Sequence, residues 1–432
     1  MSFATWRGGS DERITPPPDS DSQVLAENTR RRAWTLTVLA TVALLTTLIH
    51  RQTLAALAVP VTHALAISDV RYGWLSTGMA ASFMVGSLPA ARFTQRIGPQ
   101  VALAITVAAT SLVIGLHSLV VGYAALLMLR VGMGFAAAGA IPAATQTVHR
   151  VLPFKDRARG IALLYMGSSL GSALCAPIAV FLEAQTGWRW AFFGVAAIGL
   201  VWVPTWAFAT TRTQPQGGTN SLGPPQSIAE LNYHISVVAL ARQRGVLRGT
   251  LLVAAASPVN LLMLIWAAKY LSRDHGIRQS ELGYYLWMPA LMFGLGSLGF
   301  GELRARTAKS RSSARPPRGL VLGASALACV MACTPLASNA WSGTMLASVA
   351  MIGAGGLYTL ATSDMLAHIP RQAVPATASL TTVTQSIVYI LASPVIGKAV
   401  EHFGNFNWAM VVAGLWVLPC TLCWLLEATF HE

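Results

Sequence analysis

Two arginines of this chain lie within apolar segments, where a charge is costly. Arg130 is about nine residues into the segment 121–147, which has no other charged residue. At ~1.5 Å of rise per residue, its guanidinium is ~14 Å deep, near the middle of a bilayer. Arg51 lies similarly within the first apolar segment. A guanidinium at such depth normally faces a water-filled cavity or a partner, and its planar fork suits a carboxylate. The two arginines therefore predict a site for an organic anion.

The composition indicates an integral membrane protein. Of the 432 residues, 54% are hydrophobic and only 11% are charged, whereas soluble domains carry about 25% charged residues. A net charge of +14 could point to nucleic acid, but the arginines lie in short loops between apolar segments without interleaved aromatic residues. We therefore expect contact with anionic lipid headgroups and no nucleic-acid partner.

Twelve apolar stretches of helical length predict twelve transmembrane helices. Each is near the ~20 residues that a bilayer requires, and the backbone must be helical in lipid. The sequence therefore predicts an all-α membrane protein with two six-helix bundles, the layout of parallel-repeat transporters. The predicted spans are 34–60, 73–91, 99–117, 121–147, 160–182, 190–209, 249–271, 282–300, 319–337, 343–366, 376–398 and 408–427.

The polar gaps between these stretches predict the domain organisation. We expect a disordered cytoplasmic N-terminal tail at 1–33, an N-terminal bundle at 34–209, a cytoplasmic linker at 210–248, a C-terminal bundle at 249–428 and a short tail at 429–432. Arginine and lysine concentrate in the tail, in the linker and in the loops on their side. The positive-inside rule therefore predicts that both termini are cytoplasmic.

The fourth to sixth predicted helices carry a distinctive set of residues, which are Arg130, Gly134, Pro142, the loop 153–160, Gly167, Gly171, Pro177 and GWRWAFF from Gly187. With these features the stretch resembles the anion:cation symporter branch of the major facilitator superfamily. A second stretch, WAAKYLSRDHGIRQSELGYYLWMP from Trp266, is similar to the branch's seventh and eighth helices. That branch includes transporters of hexuronates, galactonate and other organic anions, together with sialin-like proteins.

The resemblance covers most of residues 34–428 and carries functional expectations. It implies a major facilitator fold that moves a small organic anion, with a carboxylate favoured, by alternating access. Arg51 and Arg130 match anion-binding positions. We expect a monomer in the bacterial inner membrane, without a cofactor, whose partners are the anion and membrane lipids. Coupling to a proton or to sodium, exchange and uncoupled facilitation are all open alternatives.

The chain departs from the branch at positions that concern coupling and conformation. Branch members that use protons resemble one another in an Asp before the first-helix arginine and a Glu in the fourth helix. This chain has His50 and Ala137 at those positions. The signature loop after the second helix keeps Arg96 but has Gln95 where aspartate is usual. In the family this loop helps to hold the outward-facing state, so we expect Arg96 to act in conformational control.

Further polar residues are candidates by their helix positions. His50 could carry a proton, since imidazole titrates near neutral pH, or it could be a neutral hydrogen-bonding residue. Asp364 is the only carboxylate well inside the predicted spans, and we expect an interfacial or gating role in which it pairs with a loop arginine. The residues expected to line the cavity with the two arginines are Tyr165, Asn260, Tyr270, Gln385 and Tyr389.

Other classes of function fit the sequence less well. A drug or metabolite exporter of the same superfamily is the main alternative, although the fifth helix lacks the dense glycine-proline pattern of antiporters. A transporter-derived sensor is expected to carry a signalling module, and the tails here are short. A membrane-embedded enzyme would need a second catalytic group near His50. Cys420 and Cys423 form a C-x-x-C without a second pair, which favours apolar packing over a metal site.

Overall fold

The computed structural model describes residues 20–211, 243–307, 316–367 and 374–429, which are almost wholly helical. Short π or 3-10 turns connect several of the α-helices. The helices are α1 (Ser20–Ala56), α2 (Ala58–Ala64), α3 (Asp69–Ile97), α4 (Pro99–Leu116), α5 (Tyr123–Ala137), α6 (Ala140–Val151), α7 (Phe154–Thr186), α8 (Trp188–Thr211), α9 (Arg244–Leu261), α10 (Ala267–His275), α11 (Gly283–Thr307), α12 (Arg318–Cys329), α13 (Ala340–Ala367), α14 (Val374–Phe403), α15 (Asn407–Leu415) and α16 (Val417–Thr429).

These helices account for the predicted spans, which we number 1 to 12. In the described ranges, eleven segments are long and apolar enough to cross a membrane, and they coincide with every predicted span except the second. Span 2 is α3, whose 29 residues give a length of about 43 Å and whose charged residues lie near its two ends. Span 4 comprises α5 and α6, span 7 comprises α9 and α10, and span 12 comprises α15 and α16.

Two predicted domain boundaries need correction. The first helix begins at Ser20, so the predicted disorder of the N-terminal tail is wrong for residues 20–33. The Gln, Leu, Ala, Glu and Arg of that stretch are all good helix formers, which the low hydropathy concealed. The C-terminal bundle begins at Arg244, within the predicted linker. Residues 1–19, 212–242 and 430–432 lie outside the described ranges.

Two glycines one turn apart permit a close helix contact in the N-terminal bundle. A methyl group on Gly167 would lie 2.7 Å from the carbonyl oxygen of Thr41, and one on Gly171 would lie 2.4 Å from that of Leu45. Span 5 therefore packs directly on the backbone of span 1. Small residues have this role in membrane helices because lipid gives no hydrophobic force that would press helices together.

Span 7 is interrupted at mid-length by a π-turn. After α9, which contains Pro258, residues Leu262–Trp266 form a π-helix before α10 begins. An extra residue per turn leaves local carbonyls off the regular ladder, and such turns are frequent at functional sites. Here the carbonyl oxygen of Ile265 accepts a hydrogen bond of 2.8 Å from the Tyr72 hydroxyl of span 2. The π-turn is therefore a contact point between the two bundles.

The two bundles meet chiefly through spans 2 and 11 and through spans 5 and 8. We call the end of the molecule where α1 begins and α16 ends the terminal end, and the opposite end the distal end. At the distal end, Glu401 accepts a bond of 2.9 Å from the backbone N–H of Val70, and Gln279 donates one of 3.0 Å to the carbonyl of Ala56. The structure is therefore closed at the distal end.

Candidate anion-binding site

Arg130 lies in the middle of α5 and is buried, with 2% of its surface exposed. Its Nη1 atom donates a hydrogen bond to the backbone carbonyl oxygen of Arg51 at 3.2 Å, which links span 4 to span 1. Its Nε atom has no protein partner, and within the described ranges no carboxylate forms an ion pair with it. A buried guanidinium with spare donors is suited to bind an anion.

Arg51 is half-buried in α1 and lies against span 2. Its guanidinium carbon is 4.3 Å from the centroid of the Phe83 ring, a cation–π contact. The ring covers one face of the guanidinium, whereas the N–H groups project from the edge of the plane. The Nε atom of Arg51 also has no partner among the residues that the structure describes. Neighbouring spans 1 and 4 thus each carry a guanidinium with a spare donor.

Polar side chains of the C-terminal bundle complete the site. The Tyr389 hydroxyl accepts a hydrogen bond of 3.2 Å from Gln385, one turn earlier on span 11, and it interacts electrostatically with Arg51 across the bundle interface. The Tyr358 hydroxyl of span 10 lies 3.3 Å from the Ser257 hydroxyl of span 7, one turn before Asn260. Arginines from one bundle therefore face hydroxyls and amides from the other.

The structure places Asn260 and Tyr165 in different parts of this region. Asn260 is 3% exposed and its Oδ1 atom has no partner among the described residues. Tyr165 is 54% exposed on span 5, one turn before Ser169 on the same helix face. Ser169 lies against Gly294 of span 8, so this face of span 5 is turned toward the other bundle. Tyr165 is thus on the terminal side of the bundle contact.

His50 and Tyr270 are not part of this group. The ring of His50 is wholly buried, with Nδ1 3.2 Å from the Thr110 hydroxyl and Nε2 3.2 Å from the Val195 carbonyl oxygen. It points into the N-terminal bundle because adjacent helical residues project about 100° apart, away from the direction of Arg51. Tyr270 is 3% exposed at the distal end and is bonded to His275 at 2.9 Å.

Asp364 and Arg96 are the two residues that were predicted to act in gating or conformational control. Asp364 pairs with an arginine, as expected, but the partner is Arg248 within α9 and not in a loop. The pair is bidentate, at 3.1 and 3.2 Å, and both side chains are buried. It joins spans 7 and 10 of the same bundle, so it does not bridge the two bundles. Arg96 is exposed in the last turn of α3 at the terminal end.

An ion-pair cluster at the distal end was missed by the sequence analysis. Asp69, at the start of α3, bonds through one carboxylate oxygen to Lys269 and through the other to Arg273, the latter at 2.7 Å. We call these three residues the distal cluster. Its signal in the sequence was Lys269, a charge inside the predicted span 7, with Arg273 one helical turn later. The cluster joins span 2 to span 7.

The helical bundles and a cationic site between them define a class of membrane transport protein. The sequence profile of the Major Facilitator Superfamily matches residues 37–387. The chain belongs to this superfamily. A solved structure, the bacterial homolog to the human lysosomal transporter Spinster in an inward-facing and unoccupied conformation, has the same fold. It gives a TM-score of 0.76 at 17% sequence identity and covers 92% of this chain and 97% of that chain.

The chain is similar to several bacterial transporters named for organic acids. The hexuronate transporter of Escherichia coli (strain K12) is 22% identical over 278 residues, which cover 62% of this chain and 64% of that protein. The probable galactarate/D-glucarate transporter of Bacillus subtilis (strain 168) is 23% identical, with 87% of each covered. The probable sulfoacetate transporter of Cupriavidus necator (strain H16) is 23% identical, covering 70% of this chain and 73% of that protein.

Proposed function

We propose that this protein moves a small organic anion, a carboxylate, across the membrane by alternating access. The observation that carries the proposal is the presence of Arg51 and Arg130 on neighbouring spans, where the Arg130 guanidinium is buried against the Arg51 backbone and the Nε atoms of both have no partner among the described residues. A site between two bundles can be exposed to one side and then to the other as the bundles rock.

The chemistry of the site favours an acid that also carries hydroxyl groups. A guanidinium binds both oxygens of a carboxylate through parallel hydrogen bonds. Gln385, Tyr389 and Asn260 would bind hydroxyls on the rest of the molecule, since amide and phenol groups both donate and accept. The names of the relatives agree with this class, because hexuronate, glucarate and galactonate are sugar acids. Two fixed cations disfavour the cationic drugs that an exporter would need to bind.

The proposed setting is the inner membrane of a bacterium, with both termini in the cytoplasm. Support comes from the arginines and lysines that concentrate in the loops of the terminal end, since positive residues favour the cytoplasmic side. In this orientation the distal end is extracellular. The molecule closed at the distal end would then accept its anion from the cytoplasmic side, past Tyr165.

A thermal-shift screen tests the proposal directly. Purified protein is heated with D-glucuronate, D-galacturonate, D-galactonate, D-glucarate or sulfoacetate, and with neutral D-galactose as a control. We expect at least one acid to raise the unfolding temperature of the wild type and of Arg71→Ala, whose side chain is exposed at the distal end. Arg130→Ala should lose the shift. Equal stabilisation by galactose, with Arg130→Ala responding like the wild type, would overturn the anion assignment.

A further inference from the structure

We propose that Lys269 and Arg273 form a loading site for the anion at the distal end, where an incoming carboxylate takes the place of Asp69. This inference rests on the proposed function, because it identifies where the same anion first binds. The ligand class is a carboxylate, and the site is separate from the arginine pair of spans 1 and 4.

The geometry of the distal cluster is that of a carboxylate-binding site. Lys269 and Arg273 are four residues apart on α10, so their side chains lie on one helix face. Each binds a different oxygen of the Asp69 carboxylate. The Asp69 side chain is only 8% exposed and that of Lys269 11%, whereas that of Arg273 is 41% exposed. The protein's own carboxylate therefore occupies a site that two cations have built.

Opening of the distal end must vacate this site. Asp69 belongs to the N-terminal bundle, whereas Lys269 and Arg273 belong to the C-terminal bundle. A motion that separates the bundles at this end removes the carboxylate and leaves two adjacent cations beside the opening. Unpaired cations at a partly buried position are costly and attract an anion from solution. A carboxylate that binds them stabilises the open state, in which Asp69 has moved away and only the weaker influence of Glu401 and Asp274, acids of the same bundle, remains.

Tyr72 of span 2 lies beside the loading site. The Lys269 ammonium is 5.0 Å from the centroid of the Tyr72 ring. In the closed state the Tyr72 hydroxyl is bonded to the carbonyl oxygen of Ile265, which holds spans 2 and 7 together. Distal opening must therefore break this contact as well as the distal cluster.

Two substitutions in the distal cluster distinguish a loading site from an ion pair that only holds the two bundles together, which we call a lock. Asp69→Asn weakens the lock and also frees both cations, so the external KM should fall. Lys269→Gln weakens the same lock but removes one of the cations. If the pair binds the anion, the external KM should rise about tenfold, because the anion loses one charge-assisted hydrogen bond. If the cluster is only a lock, both substitutions should lower the external KM.

The measurement is counterflow of D-galacturonate and D-galactonate in vesicles of known orientation. Right-side-out vesicles give the external KM and inside-out vesicles the cytoplasmic KM. Asp69→Asn and Lys269→Gln should raise the cytoplasmic KM alike, because both weaken the contact that favours the cytoplasm-facing state. Distal opening is read separately, from the labelling of a cysteine at Ala56 by an impermeant maleimide after the five native cysteines are replaced by serine. Both Asp69→Asn and Lys269→Gln should accelerate that labelling.

Control variants guard against misfolding and general charge effects. Lys269→Arg keeps a cation at the site and should restore an external KM near that of the wild type. Arg71→Gln removes an exposed distal cation that does not touch Asp69, and it should change neither KM. An unchanged or lowered external KM in Lys269→Gln overturns the loading site. Failure of the wild type to bind or exchange either acid would instead overturn the proposed function itself.

Discussion

The Nη1 atom of Arg130 donates a hydrogen bond to the backbone carbonyl of Arg51, 3.2 Å away. This bond holds span 4 against span 1 and orients the guanidinium of Arg130 while leaving its Nε atom free. The two positive charges on these neighbouring spans repel each other, an effect that a low dielectric increases. An anion that binds both removes this repulsion, so the site gains stability on binding, beyond the hydrogen bonds that it forms.

The fork geometry of Arg130 predicts that lysine cannot replace it. Arg130→Lys keeps the charge but loses the parallel donors, so we expect the Kd for a stabilising acid to rise about tenfold, and by about a hundredfold or more in Arg130→Ala. The measurement is titration calorimetry on purified protein. Arg130→Lys that binds as tightly as the wild type would contradict bidentate binding at this residue.

The buried pair of Arg248 and Asp364 predicts a loss of stability without a loss of binding. Asp364→Asn leaves the Arg248 charge uncompensated inside the C-terminal bundle, which should lower the free energy of unfolding by about 3–5 kcal/mol. Denaturant unfolding followed by tryptophan fluorescence measures the change. The apolar double variant Arg248→Met, Asp364→Leu should recover much of the stability. Anion affinity that falls in parallel with stability would indicate a direct role for Asp364 in binding.

The position of His50 predicts that it does not carry the coupled proton. Its two ring nitrogens contact Thr110 and Val195 inside the N-terminal bundle, away from the arginine pair. His50→Gln can retain one of these hydrogen bonds, so transport should keep the pH profile of the wild type between about pH 5.5 and 8, where imidazole titrates. Uptake measured across that range provides the comparison. A pH profile that is flattened in His50→Gln would indicate that His50 carries a proton during transport.

The contact of Gly171 with span 1 predicts that a larger residue at this position disturbs the packing of spans 1 and 5. A methyl group there would lie 2.4 Å from the Leu45 carbonyl oxygen, so Gly171→Ala must push span 5 away and should cost about 1–3 kcal/mol of stability. Gly323→Ala is the matched control, because that glycine is also helical and has no atom near the added methyl group. Its stability should be unchanged or slightly higher. Equal unfolding temperatures in the two variants would contradict the close contact.

The same enlargement at Gly397 should have a different result, because its neighbour belongs to the other bundle. A methyl group on Gly397 would lie 2.5 Å from the carbonyl oxygen of Asp69. The bundles can separate to relieve this clash, so we expect Gly397→Ala to favour distal opening with little loss of stability. Maleimide labelling of a distal cysteine at Ala56 should become faster. Unchanged labelling together with a lower unfolding temperature would indicate a rigid contact.

The sequence predicted the spans and the depth of the arginines because both depend on distance along the helix axis. A run of ~20 apolar residues in lipid has essentially one solution, and the position of Arg130 within its run fixes its depth. Rotation about the helix axis is a different quantity, which hydropathy does not give. His50 and Arg51 have nearly the same depth, yet one faces the bundle interior and the other the central site.

Contacts between residues that are distant in sequence also could not be predicted from the hydropathy pattern. Arg248 was assigned to the linker because a charge ends an apolar window, although its buried partner Asp364 allows the helix to begin earlier. Lys269 and Asp69 are two hundred residues apart and belong to different bundles. Each looked like an ordinary charge near a membrane surface until the packing of span 2 on span 7 brought them together.

The π-turn at Leu262–Trp266 divides span 7 into two helical segments that could move separately. On the terminal side of the turn, α9 contacts its own bundle through Ser257, whose hydroxyl lies 3.3 Å from that of Tyr358. On the distal side of the turn, Lys269 belongs to α10, a helix of only nine residues. Bending at the turn would let this short segment swing outward while the rest of span 7 stays in place. Extracellular entry would then need a local movement of one helix tip, smaller and faster than the rocking of an entire half of the molecule.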